Sequence, residues 1–440
     1  MNTHHPSVLR HRSLPIVKPA PIDRAALRGI AQECGAADVG VASIHRSELA
    51  SELEGARSLL PTARSFVSLV VRMNRDALRA PPRSVANLEF HSVKDEAQDT
   101  ARRLIERLNA LGYRAVCPAV GFPMEMDDFP GRTWVLSHKP IAVAAGLGQI
   151  GIHRNLIHPR FGNFVLLETI VTDLQLEEDR PIDFNPCLEC KLCVAACPVG
   201  AIGADGHFDF TACYTHNYRE FMSGFGDWVE DIADAKNAHD YRARVSDAET
   251  ASMWQSLSFG SNYKAAYCLA VCPAGDEVIG EYIDDKRSYK RQVLDPLTKR
   301  EEPVYVMRHS DAAAHVARRF PHKPQRFVQS GLRARKAQGF FRSLPIGFQR
   351  GLAKDLDLLL HFRLREGDAT HEASVRIQAG KLSVESGLQG NPNTLVDATS
   401  SAWLGYLAGE KALWWLLATR AIRIRGDVKA LRQFAACFPK

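Results

Sequence analysis

Cys187, Cys190, Cys193 and Cys197 stand in the run C-x2-C-x2-C-x3-C-P. One tight loop of this spacing aims three thiolates at a single iron–sulfur cluster, while the proline-flanked fourth cysteine points elsewhere. A 4Fe-4S centre is the chemistry implied; zinc would want two separated pairs or mixed histidine ligands, which the run does not offer. Where two clusters share a fold, the fourth cysteine of each run serves the other cluster, so Cys197 requires partners downstream. CLAVCPAGDE supplies Cys268 and Cys272. By this reciprocity Cys187, Cys190, Cys193 and Cys272 hold the first cluster, and Cys197, Cys213 and Cys268 the second. A full second run would need a cysteine where Ala265 stands, which leaves three cysteine ligands there, with His216 as the nearby alternative. Cys34, Cys117 and Cys437 lack any partner spacing and read as small core residues.

Gly146, Gly148 and Gly151 match G-x-G-x-x-G, with Glu168 further on. A dinucleotide fingerprint requires a helix to begin at the third glycine, and Pro159 and Gly162 leave little room for one. The stretch reads instead as a loop whose backbone comes close to a flat ligand or to another chain segment. No catalytic residue is assigned; Arg132, His138 and Lys139 are the polar choices beside this loop for proton delivery or anion binding.

These residues must be positioned by more than one core, since 440 residues exceed what a single core supports. A hydrophobic share of 45% and a charged share of 24% are those of an ordinary globular chain. A helix over 23–33, strands in ADVGVASI and PTARSFVSLVVRMN, and a helical face from Asp95 to Gly112 open an α/β pattern. A short strand in RAVCPAV, a loop from Gly121 to Gly131 and the buried strand FVLLETIVTDL follow. The insert Gly224 to Ser258 shows no clear periodicity. Beyond Pro345, alternation in HFRLREG, EASVRIQAG and KLSVES predicts an antiparallel meander, with helices in SAWLGYLAG and EKALWWLLA, a strand in AIRIRGD and a closing helix. Trp403, Trp414 and Trp415 read as core filling.

The net charge of +6 gathers around Lys323, Arg326, Arg333, Arg335, Lys336 and Arg342, read as a solvated basic connector. Without interleaved aromatics or a reading motif, no nucleic-acid partner is expected. No apolar run approaches the roughly 18 residues of a membrane span. The amino-terminal stretch lacks a secretory pattern, so a cytoplasmic, reducing setting is expected, in which the cysteines bind metal rather than pair.

KPIAVAAGLGQIGIHRNLIHPRFG followed by VTDLQLEEDRPIDFNPCLECKLCVAACPVGAI resembles the epoxyqueuosine reductases and the reductive dehalogenases, over about residues 20–285. The resemblance implies an α/β and α+β multidomain chain. A nitroreductase-like α/β domain over 20–180 would hold cobalamin, and a ferredoxin-like iron–sulfur domain over 181–285 would carry two 4Fe-4S clusters. It would turn Gly146, Gly148, Gly151, His153, Asn155 and Gly162 toward the corrin. A basic connector over 286–345 would lead to an α+β domain over 346–440 resembling the sterol-carrier-protein fold, with its lipophilic tunnel. Two departures stand out: GRTWVLSHK has no carboxylate where epoxyqueuosine reductases carry an acidic donor, only Arg132, Thr133 and His138, and Ala265 stands where a full second cysteine run is expected; no twin-arginine leader of the exported dehalogenases is expected either. The implied function is a reductase taking electrons from an external donor such as ferredoxin or flavodoxin, through two clusters and cobalamin, to a small organic or lipophilic substrate. The alternatives are an electron carrier without cobalamin, or a lipid-binding module with structural clusters.

Overall fold

The structure, a computed structural model, describes residues 3–13, 19–127, 129–329, 331 and 333–439. The reading of the amino-terminal stretch falls partly on residues 14–18, outside the described residues. The first sheet runs β1 (Asp38–Ser43), β2 (Ser65–Arg72), β6 (Val165–Thr172), β3 (Ala115–Val116), every pairing antiparallel. Its central strands are apolar nearly throughout because both faces are covered. On β2, Phe66 and Val70 pack on one side against Ile141 and Ala142, while Val67 and Leu69 face Leu27, Leu104 and Leu108 on the other. Strand alternation explains that split.

The helix expected from Asp95 begins earlier and spans Arg83–Ala110. Its first turns bury Arg83 and Asn87 beside the small Ala86, so no hydrophobic stripe announces them. Arg83 donates to the carbonyl of Ala265 at 2.9 Å, and Asn87 exchanges hydrogen bonds with the Tyr263 backbone at 3.2 and 3.0 Å. This polar face docks the cysteine-bearing segment onto the first sheet. The unreadable insert is three helices, Gly224–Asp234, Ala238–Arg244 and Asp247–Phe259. The predicted strand RAVCPAV shrinks to Ala115–Val116 because Pro118 cannot donate to a ladder.

The stretch expected as a solvated connector is built into two cores instead. β7 (Val304–Val306) pairs in parallel with β8 (Gln325–Phe327), and Val304, Val306 and Val316 pack with Cys193 and Cys197. Lys323 is buried, its ammonium 2.9 Å from Glu302, which also accepts from the Tyr267 hydroxyl at 2.7 Å. Further on, Ala337, Phe340 and Leu344 of the helix Ala337–Gly347 enter the carboxy-terminal core. Charge counting missed this because a buried, paired lysine is spelled like a solvated one.

The carboxy-terminal sheet is ordered β11 (Lys381–Ser386), β10 (Ala369–Gln378), β9 (Asp357–Glu366), β12 (Thr394–Thr399), β13 (Ile422–Gly426). β9 to β11 form the expected meander, and β12 adds in parallel to the free edge of β9. Trp403 is buried against Phe340 and Phe362, as core filling requires. Trp414 and Trp415 are corrected: they are 72% and 50% exposed. The short helix Leu413–Ala418 turns only Leu416 fully inward, so neither indole is needed by the core.

Candidate metal centre and the loop beside it

The run Cys187–Cys197 wraps tightly because Glu189 and Lys191 adopt left-handed backbone, φ 49° and 62°. Non-glycine residues pay about 1 kcal/mol or more for that conformation, which surrounding structure must hold in place. Cys197 then caps the helix Leu192–Ala196, Cys213 lies within Phe210–Asn217, and Cys268 within Tyr267–Ala270 behind left-handed Ala266. Three separate segments thus converge.

The thiols form two neighbourhoods. Cys272 lies within electrostatic reach of Cys190 and Cys187, and Cys193 of Cys272 and Cys190. Cys197, Cys213 and Cys268 are mutual neighbours in the same sense, and Cys268 also reaches Cys193 and Cys272. Burial pushes the thiols of Cys190, Cys193, Cys197, Cys213, Cys268 and Cys272 up, the last two to about 12. Such groups ionise only when a cation sits among them, the condition a cluster's irons meet. Backbone N–H groups from Val199 to Ile202 point at the Cys197 sulfur, with Ala201 donating at 3.3 Å. Bonds of that kind stabilise a thiolate and tune cluster potential. Among the described residues no three such ligands converge on a single ion; a cubane instead binds each thiolate to its own iron. The run Cys187–Cys197 has the spacing that such a cluster requires. His216 does not fit as a ligand: its Nδ1 accepts from the Tyr305 N–H at 3.3 Å, so Nε2 carries the proton. Burial drives its pKa down to about 3.

The glycine loop has a different character. A Cβ on Gly146 would stand 2.4 Å from the Arg180 carbonyl oxygen, on Gly148 2.3 Å from that of Ile157, and on Gly162 2.1 Å from that of Ala274. The space beside each is filled by the chain's own backbone, so these glycines are not a face left open for a macrocycle. Close approach of another chain segment is what they serve. No helix follows Gly151, which begins the connection between the paired strands β4 (Gln149–Ile150) and β5 (Leu156–Ile157), and a Cβ on it would strike Ile157 and His153. Gly162 is seated on the turn after Cys272, where Asp276 N–H donates to Pro159 and Glu277 N–H to Arg160 at 2.9 and 3.0 Å.

The two histidines of the loop are likewise occupied. His153 Nδ1 accepts from Asn155 N–H at 3.1 Å, which leaves a proton on Nε2, 3.3 Å from the Asn163 carboxamide. Turning that carboxamide so that its oxygen faces the ring satisfies both groups. Burial holds His153 down at about 4. His158 Nε2 meets Asp38 at 3.0 Å. Asn155 reaches the Cys268 sulfur at 3.9 Å, the direct link between loop and cysteines. The six loop residues therefore do not fit a corrin cradle; they fit a scaffold that braces both cysteine sets.

The candidate proton carriers separate. Arg132 is ion-paired to buried Glu52, which also accepts from Ser137 N–H at 2.9 Å, so it is held as structure. Lys139 donates to the Arg154 carbonyl at 2.7 Å and lies within reach of Cys268 and Cys213. His138 bridges Thr169 Oγ1 at 2.9 Å and the Ala119 carbonyl at 3.1 Å. A carbonyl only accepts, so Nε2 donates to Ala119 and bare Nδ1 faces Thr169 and, at 3.9 Å, Glu168. Glu168, fully buried on β6, was missed except as a discarded fingerprint partner. Burial raises it to about 8, and its Oε2 has no partner among the described residues. A lone carboxylate inside the apolar run FVLLETIVT was the signal that could have found it.

Residues 180–203 match the 4Fe-4S binding domain family. The chain is similar to epoxyqueuosine reductase of Aliivibrio fischeri, 26% identical over 129 residues, 29% of this chain and 31% of the relative. It is 34% identical over 84 residues to that of Lactococcus garvieae, 19% of this chain and 24% of the relative. Among solved structures, an epoxyqueuosine reductase bound to an epoxyqueuosine-modified tRNA stem loop aligns at TM-score 0.33 and 19% identity, covering 44% of this chain and 56% of that one. A catabolic reductive dehalogenase aligns at TM-score 0.39 and 16% identity, covering 68% and 36%. The chain thus spans about a third or less of the length of these curated relatives. The family match covers the cluster-binding run alone, and the sequence relatives named here, each matched over part of its length, are epoxyqueuosine reductases. The expectation of no nucleic-acid partner is overturned, since such a reductase takes a tRNA stem loop. An enzyme that works on one nucleoside needs phosphate contacts and a pocket, not a base-reading motif, so the missing motif excluded nothing. Among the described residues no helix is long and apolar enough to cross a membrane.

Proposed function

We propose that this chain is an iron–sulfur reductase acting on a modified nucleoside within RNA. The observation that carries the reading is the gathering of seven thiols from three segments into two sets, Cys187, Cys190, Cys193 and Cys272 in one and Cys197, Cys213 and Cys268 in the other. When bound, the clusters supply one-electron transfer, the second through three cysteines. The names of the sequence relatives supply the substrate class. Cobalamin, which the resemblance implies as electron acceptor, gains no support from the glycines, and the protein's own chemistry is derived without it.

Removing an epoxide oxygen as water consumes two electrons and two protons, so the protein must hold a proton near the reacting group. GRTWVLSHK has no carboxylate, and Arg132 there is neutralised by Glu52. Glu168 is the acid suited to holding that proton, because burial raises its carboxyl to about 8 and leaves its Oε2 without a partner among the described residues. Lys139 sets a positive charge beside the second thiol set, which favours its reduced form.

The test is single-turnover assay of anaerobically reconstituted, chemically reduced protein on an epoxyqueuosine-bearing stem loop, with cobalamin supplied. Mass spectrometry should show loss of one oxygen from the nucleoside, and Glu168→Gln should slow this at least tenfold while iron content stays unchanged. A fully reduced protein that leaves the nucleoside intact would remove the proposal.

A further inference from the structure

Apart from the cysteine sets and the glycine loop, a cavity of about 250 Å³ opens between the insert helices and the strands β7 and β8. Its wall carries five basic side chains against two acids, Asp231 and Glu249. Glu249 closes the capping box of its helix with Ser246 and accepts the Tyr305 hydroxyl at 3.1 Å. Burial and neighbouring Asp227 push the Asp231 carboxyl up.

Three of the five cations are bound elsewhere: Arg219 to Asp227 at 2.7 Å, Arg244 to Asp240 at 3.1 Å, and Lys264 to Glu220. The other two differ. Arg308 lies 4.5 Å over the Phe327 ring and meets no carboxylate among the described residues. Arg326 approaches Glu249 only at 4.0 Å. Arg326 lies on β8 and Arg308 two residues beyond the end of β7, and both line the cavity. Arginine's planar fork matches phosphate oxygens, and with Arg308 meeting no carboxylate among the described residues and Arg326 touching Glu249 only at 4.0 Å, both forks line a cavity that an anion can enter. Trp228 lines the same cavity, its ring fixed by a 2.7 Å bond from Nε1 to the Tyr241 hydroxyl, itself 2.6 Å from Thr250. A rigid aromatic face beside paired arginines suits a flat ring joined to a phosphate.

We propose that this cavity binds a phosphate-bearing ligand of mononucleotide size, with its phosphate on Arg308 and Arg326 and its ring on Trp228. The inference rests on the cavity and not on the reductase reading. Either can fail without the other.

Adenosine monophosphate is the probe, titrated into the full-length reconstituted protein by calorimetry, with adenosine and an unmodified RNA stem loop as the other arms. The nucleotide should bind with quenching of Trp228 fluorescence, adenosine at least tenfold more weakly. Arg308→Ala and Arg326→Ala should each weaken the nucleotide at least tenfold, and Arg308→Lys less, with circular dichroism unchanged. Binding unaffected by either alanine, or no binding by the wild-type protein, overturns the proposal. So does stem-loop binding that needs both arginines while the nucleotide is ignored, which would give the site to RNA backbone phosphates.

Discussion

In the cysteine segment, thiols separated by up to 85 positions between Cys187 and Cys272 share one neighbourhood. In the glycine loop, the room beside Gly146, Gly148 and Gly162 is taken by the carbonyls of Arg180, Ile157 and Ala274. Both stretches present residue types associated with large cofactors. A thiol at this spacing has few uses, so its chemistry follows from its kind. A glycine is the lack of a side chain, and it serves a ligand and a neighbouring backbone equally well until the geometry is known.

The largest expected effect breaks the comparison at its cysteine end. Cys272→Ser should remove the same paramagnetic signal as Cys187→Ser, with about half the iron lost, because the proline-flanked cysteine crosses to the first run. Loss of the other signal would reverse the assignment. Next comes the glycine end. Gly162→Ala sets a Cβ 2.1 Å from the Ala274 oxygen at φ 66°, and should destabilise the protein by about 2–4 kcal/mol without any added cofactor, read by denaturant unfolding of the apoprotein. An apoprotein of unchanged stability that loses only corrin binding would restore the open-face reading.

A smaller effect concerns Glu168. Its folded pKa, about 8, exceeds the unfolded value, so the folded state binds the extra proton between roughly pH 4.5 and 8. Stability from this group is present at low pH and lost as pH rises through that window, by up to about 1.4 kcal/mol per unit. Glu168→Gln should flatten the slope; an unchanged pH profile would show that the carboxyl titrates normally. The smallest effect is at Trp414 on the helix Leu413–Ala418, where alanine should shift stability by under about 0.5 kcal/mol, against about 3–5 kcal/mol for the buried Trp403→Ala. Equal losses would mean that Trp414 has a packing partner.

Much of this was legible in advance. Alternation in β9 to β11 and the spacing of the cysteines each follow a period that chemistry enforces. What could not be read depends on polar groups doing apolar work. Arg83 and Asn87 extend a helix inward by hydrogen bonding backbone carbonyls, and Lys323 is buried on Glu302, so hydrophobic patterns stop short of both. The insert helices carried one readable sign, the S-x-x-E capping box of Ser246 and Glu249. Glu168 was visible as an isolated acid in a buried strand, but its bond to Thr169 and its approach to His138 exist only once the strand and the helix His138–Ala144 are assembled.

The measurement closest to the central claim is iron and acid-labile sulfide content of the anaerobically reconstituted chain, together with its electron paramagnetic resonance spectrum during stepwise reduction. Two cysteine sets predict two separately reducible centres and about seven to eight irons per chain, the lower figure if the three-cysteine set holds one iron fewer. About four irons and a single signal would show that Cys197, Cys213 and Cys268 hold no cluster, and the two-centre account would be wrong.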